Sequence, residues 1–286
     1  MINLISAMAD GMPKRNNWDN FSLHVSDLGA NYNLDQDDRK CPRQIWYRLN
    51  GYDREETGPG VSLMFEQGHN LEEKVIEWLR RGIDNGKVVG EQLDVSTGIQ
   101  PLNGRLDVLI EYEGKYMVVD VKSRRGASFD YVSEIRPSNK MQVAGYIYAL
   151  RNIMKLPVEN GAIIEVDRNG QRFARDFHFQ YNRKLENEVE ETINFLKEIK
   201  HSDMKPKLLK PKLKINKNKG NDSVVAKLPW QCSYCDYRGV SCEGAIPPEF
   251  DDDLGKVVGH ISNNEFGEDE FVEKIKGISE YIEEEL

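Results

Sequence analysis

Two aspartates and a lysine within residues 107–122 are the residues of this chain most suited to chemistry. The residues between them alternate as in a β-hairpin, and Glu113 and Gly114 can form its two-residue turn. With that turn, Asp107 lies directly opposite Asp120. Lys122 shares a face with Asp120, because side chains two residues apart in a strand point to the same side.

The opposed pair Asp107 and Asp120 predicts a metal site. Directly opposed residues have Cβ atoms about 5 Å apart, and two carboxylates this close repel each other without a compensating cation. Hard cations such as Mg²⁺ prefer carboxylate oxygens. Lys122 can then orient a water molecule or stabilise the charge that develops on a phosphate. The alternative interpretation is a solvent-facing strand that carries ordinary charged residues.

Two predicted helices carry further side chains that could join this pair. His69 lies on an amphipathic helix over 63–81, at the edge of its buried stripe. It is a candidate third metal ligand, although a lone helical histidine is more often a surface residue. Gln142 and Tyr146 stand at i and i+4 of a helix over 137–154, so they share one face.

Four cysteines form the second chemical group. Cys232, Cys235 and Cys242 have the spacing C-x2-C-x6-C, and Cys41 is the only other cysteine of the chain. Four thiolates suit either a structural zinc ion or an iron–sulfur cluster, and the spacing does not separate the two. If all four converge, the metal ties residue 41 to residue 232. The alternative is a set of unrelated buried thiols.

The elements that position these residues mix helices and strands. Helices are predicted over 41–51, 63–81, 137–154 and 185–199, and strands over 87–95, 105–112, 115–122, 162–166 and 171–179. Residues 1–40 are predicted to be irregular, and 271–282 to be helical. This order predicts an α+β or a mixed α/β core of about 180 residues.

Charge is distributed unevenly along the 286 residues, whose net charge is −9. Residues 249–286 hold thirteen acidic residues and three lysines, so the remaining chain sums to about +1. Residues 205–219 hold seven lysines and no acidic residue. Whole-chain charge therefore does not exclude nucleic acid as a partner.

Composition also bounds the compartment and the domain division. The chain has no apolar run of membrane-spanning length and no basic, apolar leader, and four cysteines are too few for a disulfide scaffold. A reducing, cytoplasmic setting is therefore expected. We expect an N-terminal segment over 1–60, a core over 61–204, a basic and cysteine-bearing segment over 205–248, and an acidic tail over 249–286.

The motifs together resemble the PD-(D/E)XK nuclease superfamily, and within it the RecB-like branch that carries an iron–sulfur cluster. The resemblance is strongest to exonucleases associated with CRISPR adaptation, to their virus-encoded relatives and to the nuclease domain of the AddB subunit. It runs from Ser26 to Cys242. The matching motifs are Cys41-Pro-Arg43, Gly68-His69, Gly104-Arg-Leu-Asp107, Asp120-Val-Lys122, Gln142-x3-Tyr146 and the cysteine triad.

The chain also departs from that pattern. Leu106 replaces the nominal proline before the first aspartate, and Asp120 stands where glutamate is more usual. Neither the acidic tail nor the full length of the lysine-rich segment has a counterpart in the pattern. These departures leave the chemistry in place and leave regulation open.

The resemblance implies an α/β fold of the restriction-endonuclease-like kind, with a mixed central sheet flanked by helices and an iron–sulfur cluster subdomain that joins the N- and C-terminal segments. It also implies hydrolysis of DNA phosphodiesters, most of all at single-stranded ends, in a prokaryote or a virus-infected host cell. His69, Asp107 and Asp120 would bind Mg²⁺ or Mn²⁺, with the carbonyl of Val121 as a further ligand. Lys122 would position the attacking water. The resemblance favours a [4Fe–4S] cluster on the four cysteines, with zinc as the alternative.

The resemblance also implies contacts with DNA. Gln142 and Tyr146 would orient the lysine and contact the substrate. The basic residues expected to meet phosphates are Arg43, Arg124 and Arg125, and Trp46 is expected to stack on bases. The acidic tail is expected to compete with DNA for basic surface or to recruit a basic protein partner; the alternative is a solvated tail.

A second function class remains open at this stage. The protein could be a non-catalytic DNA-binding or assembly subunit with a purely structural metal cluster. The combination of His69, Asp107, Asp120 and Lys122 argues against it, because a scaffold has no need of all four. A helicase is disfavoured, because the chain has no GxxxxGK[ST] loop. The expected exonuclease activity can be accompanied by endonuclease activity, and the balance of the two, the cleavage polarity and the biological pathway stay open at this stage.

Overall fold

The chain divides into two compact units, each described by itself in a computed structural model. The sheet unit comprises Met1–Leu34 and Thr57–Glu198, and the cysteine unit comprises Asp35–Glu56 and Ile199–Leu286. The structure describes residues 5, 22–35, 37–56, 58–97, 102–131, 133–207, 209, 212–216, 223–227, 229–242 and 260–262.

The sheet unit contains a six-stranded mixed sheet. Its strands are β1 (Leu23–His24), β2 (Gly86–Ser96), β3 (Leu102–Tyr112), β4 (Lys115–Arg124), β5 (Val158–Asp167) and β6 (Ala174–Gln180). The strand order is β1-β3-β4-β5-β6, with β2 paired to β3. β4 and β5 are parallel, whereas β3–β4, β2–β3 and β5–β6 are antiparallel. The predicted α/β class with a mixed central sheet is therefore confirmed.

Helices cover both faces of this sheet. Helix α2 (Pro59–Gly82) packs Val75 and Ile76 against the face that carries Val119 and Val121. Because side chains alternate along β4, Asp120 and Lys122 point to the opposite face. In the described part of this unit, the helices that follow α2 are α3 (Gly126–Asp130), α4 (Pro137–Asn152) and most of α5 (Arg183–His201).

Helix α4 lies on the face that carries Asp120. Met141 and every residue from Val143 to Leu150 are buried, so the helix is apolar nearly all round. Gly145 permits its close approach to a 3-10 helix at Val25–Ala30, since a Cβ there would lie 2.2 Å from a Leu28 methyl carbon. This packing sets the height of Tyr146 over the sheet.

The cysteine unit joins an early and a late part of the chain. Helix α1 (Pro42–Leu49) begins directly after Cys41, with proline at its first position. The ring of Tyr47 stacks on that of Tyr237 with centroids 5.4 Å apart, and a 3-10 helix covers Trp230–Tyr234. A small antiparallel sheet contains β7 (Lys212–Asn216), β8 (Ser223–Lys227) and β9 (His260–Ser262).

Several sequence predictions need correction. Residues 22–30 are not irregular: they form β1 and the 3-10 helix, and Val25 and Leu28 are fully buried. Elements this short show no periodicity, which is why the sequence concealed them. The strand predicted from residue 171 begins at Ala174, because the Asp167 carboxylate accepts N–H bonds from Asn169 and Arg172 and lengthens the turn.

The acidic segment is described only at residues 260–262. These form β9 and pair with β8, so this part of the predicted tail belongs to a sheet. The helix predicted over 271–282 lies outside the described residues. No helix in the part of the chain that the structure describes has the length and apolarity needed to cross a membrane.

Candidate active site

Asp107 and Asp120 lie where the β3–β4 ladder ends. The ladder pairs Val108 with Val119, one residue short of both aspartates, in the register predicted from the sequence. Beyond that pair, Oδ2 of Asp107 accepts a hydrogen bond from the N–H of Val121 at 2.7 Å. Asp120 is completely buried. The hairpin therefore brings both carboxylates to one point of the sheet.

Burial raises the pKa of both aspartates, and in each case the charge of a neighbouring carboxylate raises it further. For Asp107, burial is the larger cause, and the charge of Asp120 raises the pKa further. For Asp120, burial raises the pKa, and the positive charge of Lys122 only partly offsets it. Without further positive charge, the pair is thus reluctant to carry two negative charges.

Lys122 supplies one positive charge to the pair. Its Nζ lies 2.7 Å from Oδ2 of Asp120. Burial alone would lower the pKa of Lys122, but the charges of Asp120 and Asp107 outweigh it and raise the pKa. The lysine therefore stays protonated and can donate to an anionic group.

The pair fits a divalent metal ion. Oδ2 of Asp120 is buried and, among the described residues, makes the ion pair with Lys122 but no hydrogen bond of good geometry. Mg²⁺ is commonly held by one or two carboxylates and keeps several waters. In the described ranges, no group of three or more His, Cys, Asp or Glu side chains is arranged to hold a metal ion. Asp107 and Asp120 keep their predicted role as the carboxylates that would hold a metal ion.

His69 lies on the exposed surface of α2. Its side chain is 59% exposed, and Nε2 lies 3.3 Å from a carboxylate oxygen of Glu73, one turn along α2. The predicted metal role of His69 stays a prediction. Val121 contributes its N–H to Asp107, and the predicted role of its carbonyl is likewise untested.

Gln142 and Tyr146 meet the site as their spacing predicts. Nε2 of Gln142 lies 3.4 Å from Oδ1 of Asp120 and 3.1 Å from the hydroxyl oxygen of Tyr146. Burial, and then the charge of Asp120, raises the pKa of Tyr146, so its hydroxyl stays protonated. The amide therefore links the buried tyrosine to the second carboxylate, whereas the sequence had suggested that both orient the lysine.

Glu72 is a site residue that the motifs missed. Burial raises its pKa, and it interacts electrostatically with both Lys122 and Asp120. It also accepts a hydrogen bond from Gln92, whose φ of 48° is in the left-handed region that favours glycine. Gln92 lies between two β2–β3 ladder pairs, at the level of Asp107. The spacing i, i+3 from His69 was the signal for Glu72.

Glu165 is a second missed residue. It is 1% exposed on β5 and pairs in register with Lys122 on the parallel strand β4. Nε and Nη2 of Arg124 each donate a hydrogen bond to one of its two carboxylate oxygens. The guanidinium predicted to meet phosphate is thus engaged by this buried acid. A lone glutamate in the apolar run 162–166 was the available signal.

Comparison with known proteins places this geometry in a family. The sequence model of the PD-(D/E)XK nuclease superfamily matches residues 14–242. The chain belongs to the PD-(D/E)XK nuclease superfamily. Members of this superfamily generally use divalent metals such as Mg²⁺. No curated protein sequence matches the chain.

Solved structures similar to this PD-(D/E)XK protein are distant. SSO0001 shares 16% identity at a TM-score of 0.41, covering 84% of this chain and 94% of its own. An alkaline exonuclease from Laribacter hongkongensis shares 11% at 0.43, covering 68% and 95%. A phage-related exonuclease from Haemophilus somnus 129PT shares 14% at 0.42, covering 63% and 93%. At these TM-scores the likenesses carry no argument, and the family match stands without them.

The four cysteines of this PD-(D/E)XK protein all lie in the cysteine unit, and all are free. Burial, and then the charges of the other three thiols, raises the pKa of Cys232 to about 12. Burial likewise raises the pKa of Cys235 to about 11. The described residues do not hold the thiols in a metal-ligand arrangement, so a shared cluster stays a prediction.

The residues expected to contact DNA have different surroundings. Trp46 is 4% exposed, and its Nε1 donates to the carbonyl of Ser202 at 2.9 Å. The ring is thus packed inside the cysteine unit and does not offer a face to a base. Arg43 donates through Nε to the carbonyl of Pro206 at 2.6 Å. Arg125 is exposed in the sheet unit and keeps its predicted role as a phosphate contact.

Proposed function

We propose that this protein is a metal-dependent nuclease that hydrolyses DNA phosphodiesters, acting as an exonuclease on single-stranded ends. The observation that carries the proposal is the buried pair of Asp107 and Asp120 with the Lys122 ammonium 2.7 Å from the second carboxylate. Membership of the nuclease superfamily supports the same reaction class.

The roles of the chain's own residues follow from their charges. Asp107 and Asp120 hold the divalent ion, Mg²⁺ or Mn²⁺, and His69 and the Val121 carbonyl are proposed as additional ligands. When bound, the ion supplies the positive charge that offsets the carboxylates and polarises the phosphate. Lys122 stays protonated, donates to the attacking water or to a phosphate oxygen, and so stabilises developing negative charge.

Two neighbouring residues keep this arrangement in place. Gln142 holds an oxygen of Asp120 with its amide and leaves the other oxygen to Lys122. The hydroxyl oxygen of Tyr146 accepts a hydrogen bond from that amide, and burial keeps the hydroxyl neutral. We propose that both are positioning residues, with Gln142 also near enough to the pair to contact the substrate.

The cysteines support a finer proposal of a [4Fe–4S] cluster bound by Cys41, Cys232, Cys235 and Cys242, with zinc as the alternative. The donor chemistry fits, because four free thiols interact with one another inside a single unit. A bound metal would replace the protons that burial retains on Cys232 and Cys235. With this cluster, the protein would belong to the RecB-like branch that includes CRISPR-associated and viral exonucleases.

Charge and setting complete the proposal. The lysines of 205–219 would attract DNA, and the acidic segment would compete with it or recruit a basic protein partner. We propose the cytoplasm of a prokaryote, or of a virus-infected host cell, as the place of action.

Digestion of end-labelled single-stranded and double-stranded DNA tests this function. With Mg²⁺ or Mn²⁺, the wild type should shorten single strands from an end, and EDTA should stop it. Lys122→Ala should lose the activity. Lys115→Ala, an exposed lysine on the same strand, is the matched control and should retain it.

The same assay separates the alternative. A non-catalytic DNA-binding or assembly subunit would bind the labelled strands but leave their length unchanged with either ion. Circular single strands test endonuclease activity, because an exonuclease finds no end on them.

A further inference from the structure

Two aromatic side chains of the sheet unit stand out into solvent. Tyr131 is 87% exposed and Phe173 is 79% exposed. No other described large hydrophobic residue of the sheet unit is as exposed as these two. Single exposed aromatics are common and need no explanation. These two, however, lie on segments that an ion pair holds together, and neither belongs to the catalytic site described above.

An ion pair joins the two aromatics. Nη2 of Arg172 donates to Oδ2 of Asp130 at 2.6 Å. Tyr131 follows Asp130 directly, and Phe173 follows Arg172 directly. The end of α3 and the β5–β6 turn are thereby held together, and each presents one exposed ring. We name Tyr131, Phe173 and this ion pair the aromatic platform.

The platform is anchored to the sheet. Phe129, at 2% exposure, packs below the guanidinium of Arg175, whose carbon lies 4.8 Å from the ring centroid. Nη1 of Arg175 also donates to the Phe129 carbonyl at 3.2 Å. The N–H of Arg168 donates to the carbonyl of Arg124, the last residue of β4, at 2.7 Å. These contacts fix the position of the platform relative to β4, the strand that carries Lys122.

Arg175, which anchors the platform, lies on the catalytic face of the sheet. Lys122 pairs with Glu165 across β4–β5, and Glu165 pairs with Arg175 across β5–β6. Paired residues share a face, and strands lie about 4.8 Å apart, so Arg175 is about 10 Å from Lys122 along this row. A DNA strand whose phosphate lies at Lys122 has its next nucleotides within reach of the platform.

The charge near the platform suits a phosphate backbone. Segments 124–134 and 165–175 hold five arginines against four acidic residues. Three of these acids are paired: Glu165 with Arg124, and Asp130 and Asp167 with Arg172. Arg125 is exposed beside them. A base-stacking ring next to arginine is the combination that single-strand binding proteins use.

We propose that Tyr131 and Phe173 stack on the unpaired bases of the DNA strand whose backbone enters the site at Asp107, Asp120 and Lys122. This inference rests on the proposed function and deepens it by giving the single-strand preference a physical cause. Paired bases keep their faces stacked within a duplex, so the two rings can engage only a strand with free bases.

Fluorescence anisotropy on the full-length Lys122→Ala protein tests the proposal, because that protein binds without cutting. The probes are a labelled single-stranded oligothymidylate and an abasic strand of equal length. The parent should bind the oligothymidylate more tightly. Tyr131→Ala and Phe173→Ala should each weaken this binding by about tenfold and leave abasic binding unchanged. Tyr131→Trp should restore it.

The control is Tyr112→Ala, an exposed tyrosine at the β3–β4 turn, which should bind as the parent does. Equal affinity of the parent for both strands, or unchanged affinity after both alanine substitutions, would overturn the platform. Cleavage by the otherwise wild-type protein is measured in parallel. Absence of cleavage with either metal would refute the proposed function. Normal cleavage, together with an oligothymidylate affinity that both alanine substitutions leave unchanged, would refute the platform alone.

Discussion

The aspartate pair of the sheet unit and the thiols of the cysteine unit both bring buried acidic groups close together, where their negative charges would repel. The two units differ in how that repulsion is offset. Asp107 and Asp120 are joined by a protonated lysine, so the pair is partly compensated without metal. For Cys232, each of the other thiols raises the pKa by more than Arg238 lowers it.

This difference separates two uses of a metal. The carboxylates are held by the pairing of their strands and by a hydrogen bond from the Val121 N–H to Asp107, without the help of an ion. Burial favours the neutral form of Cys232 and Cys235, so a metal must displace their protons, and metal binding of that kind is coupled to folding. We therefore expect metal loss to stop chemistry in the sheet unit and to weaken folding in the cysteine unit.

The largest expected effect is on catalysis. Asp120→Ala removes a metal-holding carboxylate and the partner of Lys122, so the initial rate of DNA cleavage should fall by roughly a thousandfold. Cys235→Ala should leave the rate per folded molecule within a few-fold of wild type. A normal rate for Asp120→Ala would place the chemistry elsewhere in the chain.

How far the sequence predicts this site depends on the range of the interactions involved. The Asp107–Asp120 opposition follows from one turn and period-two alternation, and Gln142–Tyr146 follows from helical spacing, so both were within reach. Glu165 was not, because its link to Lys122 depends on the parallel pairing of β4 with β5. No local pattern specifies such a crossover register.

Burial was equally hard to predict from spacing alone. Trp46 lies between basic residues in the sequence and was expected to be open to DNA. In the structure, its Nε1 reaches the Ser202 carbonyl, a contact between residues 156 positions apart. The buried residues Val25 and Leu28 were missed for the same reason, since a long-range contact with α4 defines them.

The next effect concerns the cysteine unit. Cys235→Ala should reduce the free energy of unfolding by about 2–3 kcal/mol, because a metal ligand is lost. The measurement is denaturant unfolding of anaerobically purified protein, with iron and zinc content determined on the same sample. Brown protein with about four irons supports the cluster, and one zinc supports the alternative.

Val240→Ala is the matched control for that measurement, because Val240 is 52% exposed in the same loop. It should retain both metal content and stability. A Cys235→Ala protein that unfolds as the wild type does would show that the thiols are unrelated, and the two units would then not differ in the way argued above.

At the aspartate pair we expect a substitution to raise the free energy of unfolding, by less than Cys235→Ala lowers it. In EDTA, Asp107→Asn should raise the free energy of unfolding by about 1 kcal/mol, because it removes repulsion while an amide oxygen can still accept the Val121 N–H. Asp120→Asn should give no such gain, because it also removes the partner of Lys122. Cleavage should be lost in both.

The pH dependence of that gain follows from the raised pKa of Asp107. A carboxyl whose folded pKa exceeds its unfolded value contributes stability below the unfolded pKa, about 3.9, and loses it as pH rises through the folded pKa. The difference between Asp107→Asn and wild type should therefore be small in acid and grow towards neutral pH. A constant difference would mean that packing, rather than charge, sets it.

The smallest expected effect concerns the acidic segment beyond β9. Deleting residues 263–286 removes nine acidic residues and two lysines while retaining the strand His260–Ser262. If this segment competes with DNA for basic surface, deletion should tighten single-strand binding by roughly threefold at low salt. The gain should shrink at high salt, because charges are screened beyond about 10 Å at 0.1 M. A full-length variant with amides in place of the nine acids should behave like the deletion. Unchanged affinity in both proteins at every salt concentration would identify the segment as solvated, and a pull-down with the wild-type chain would then test recruitment of a basic partner.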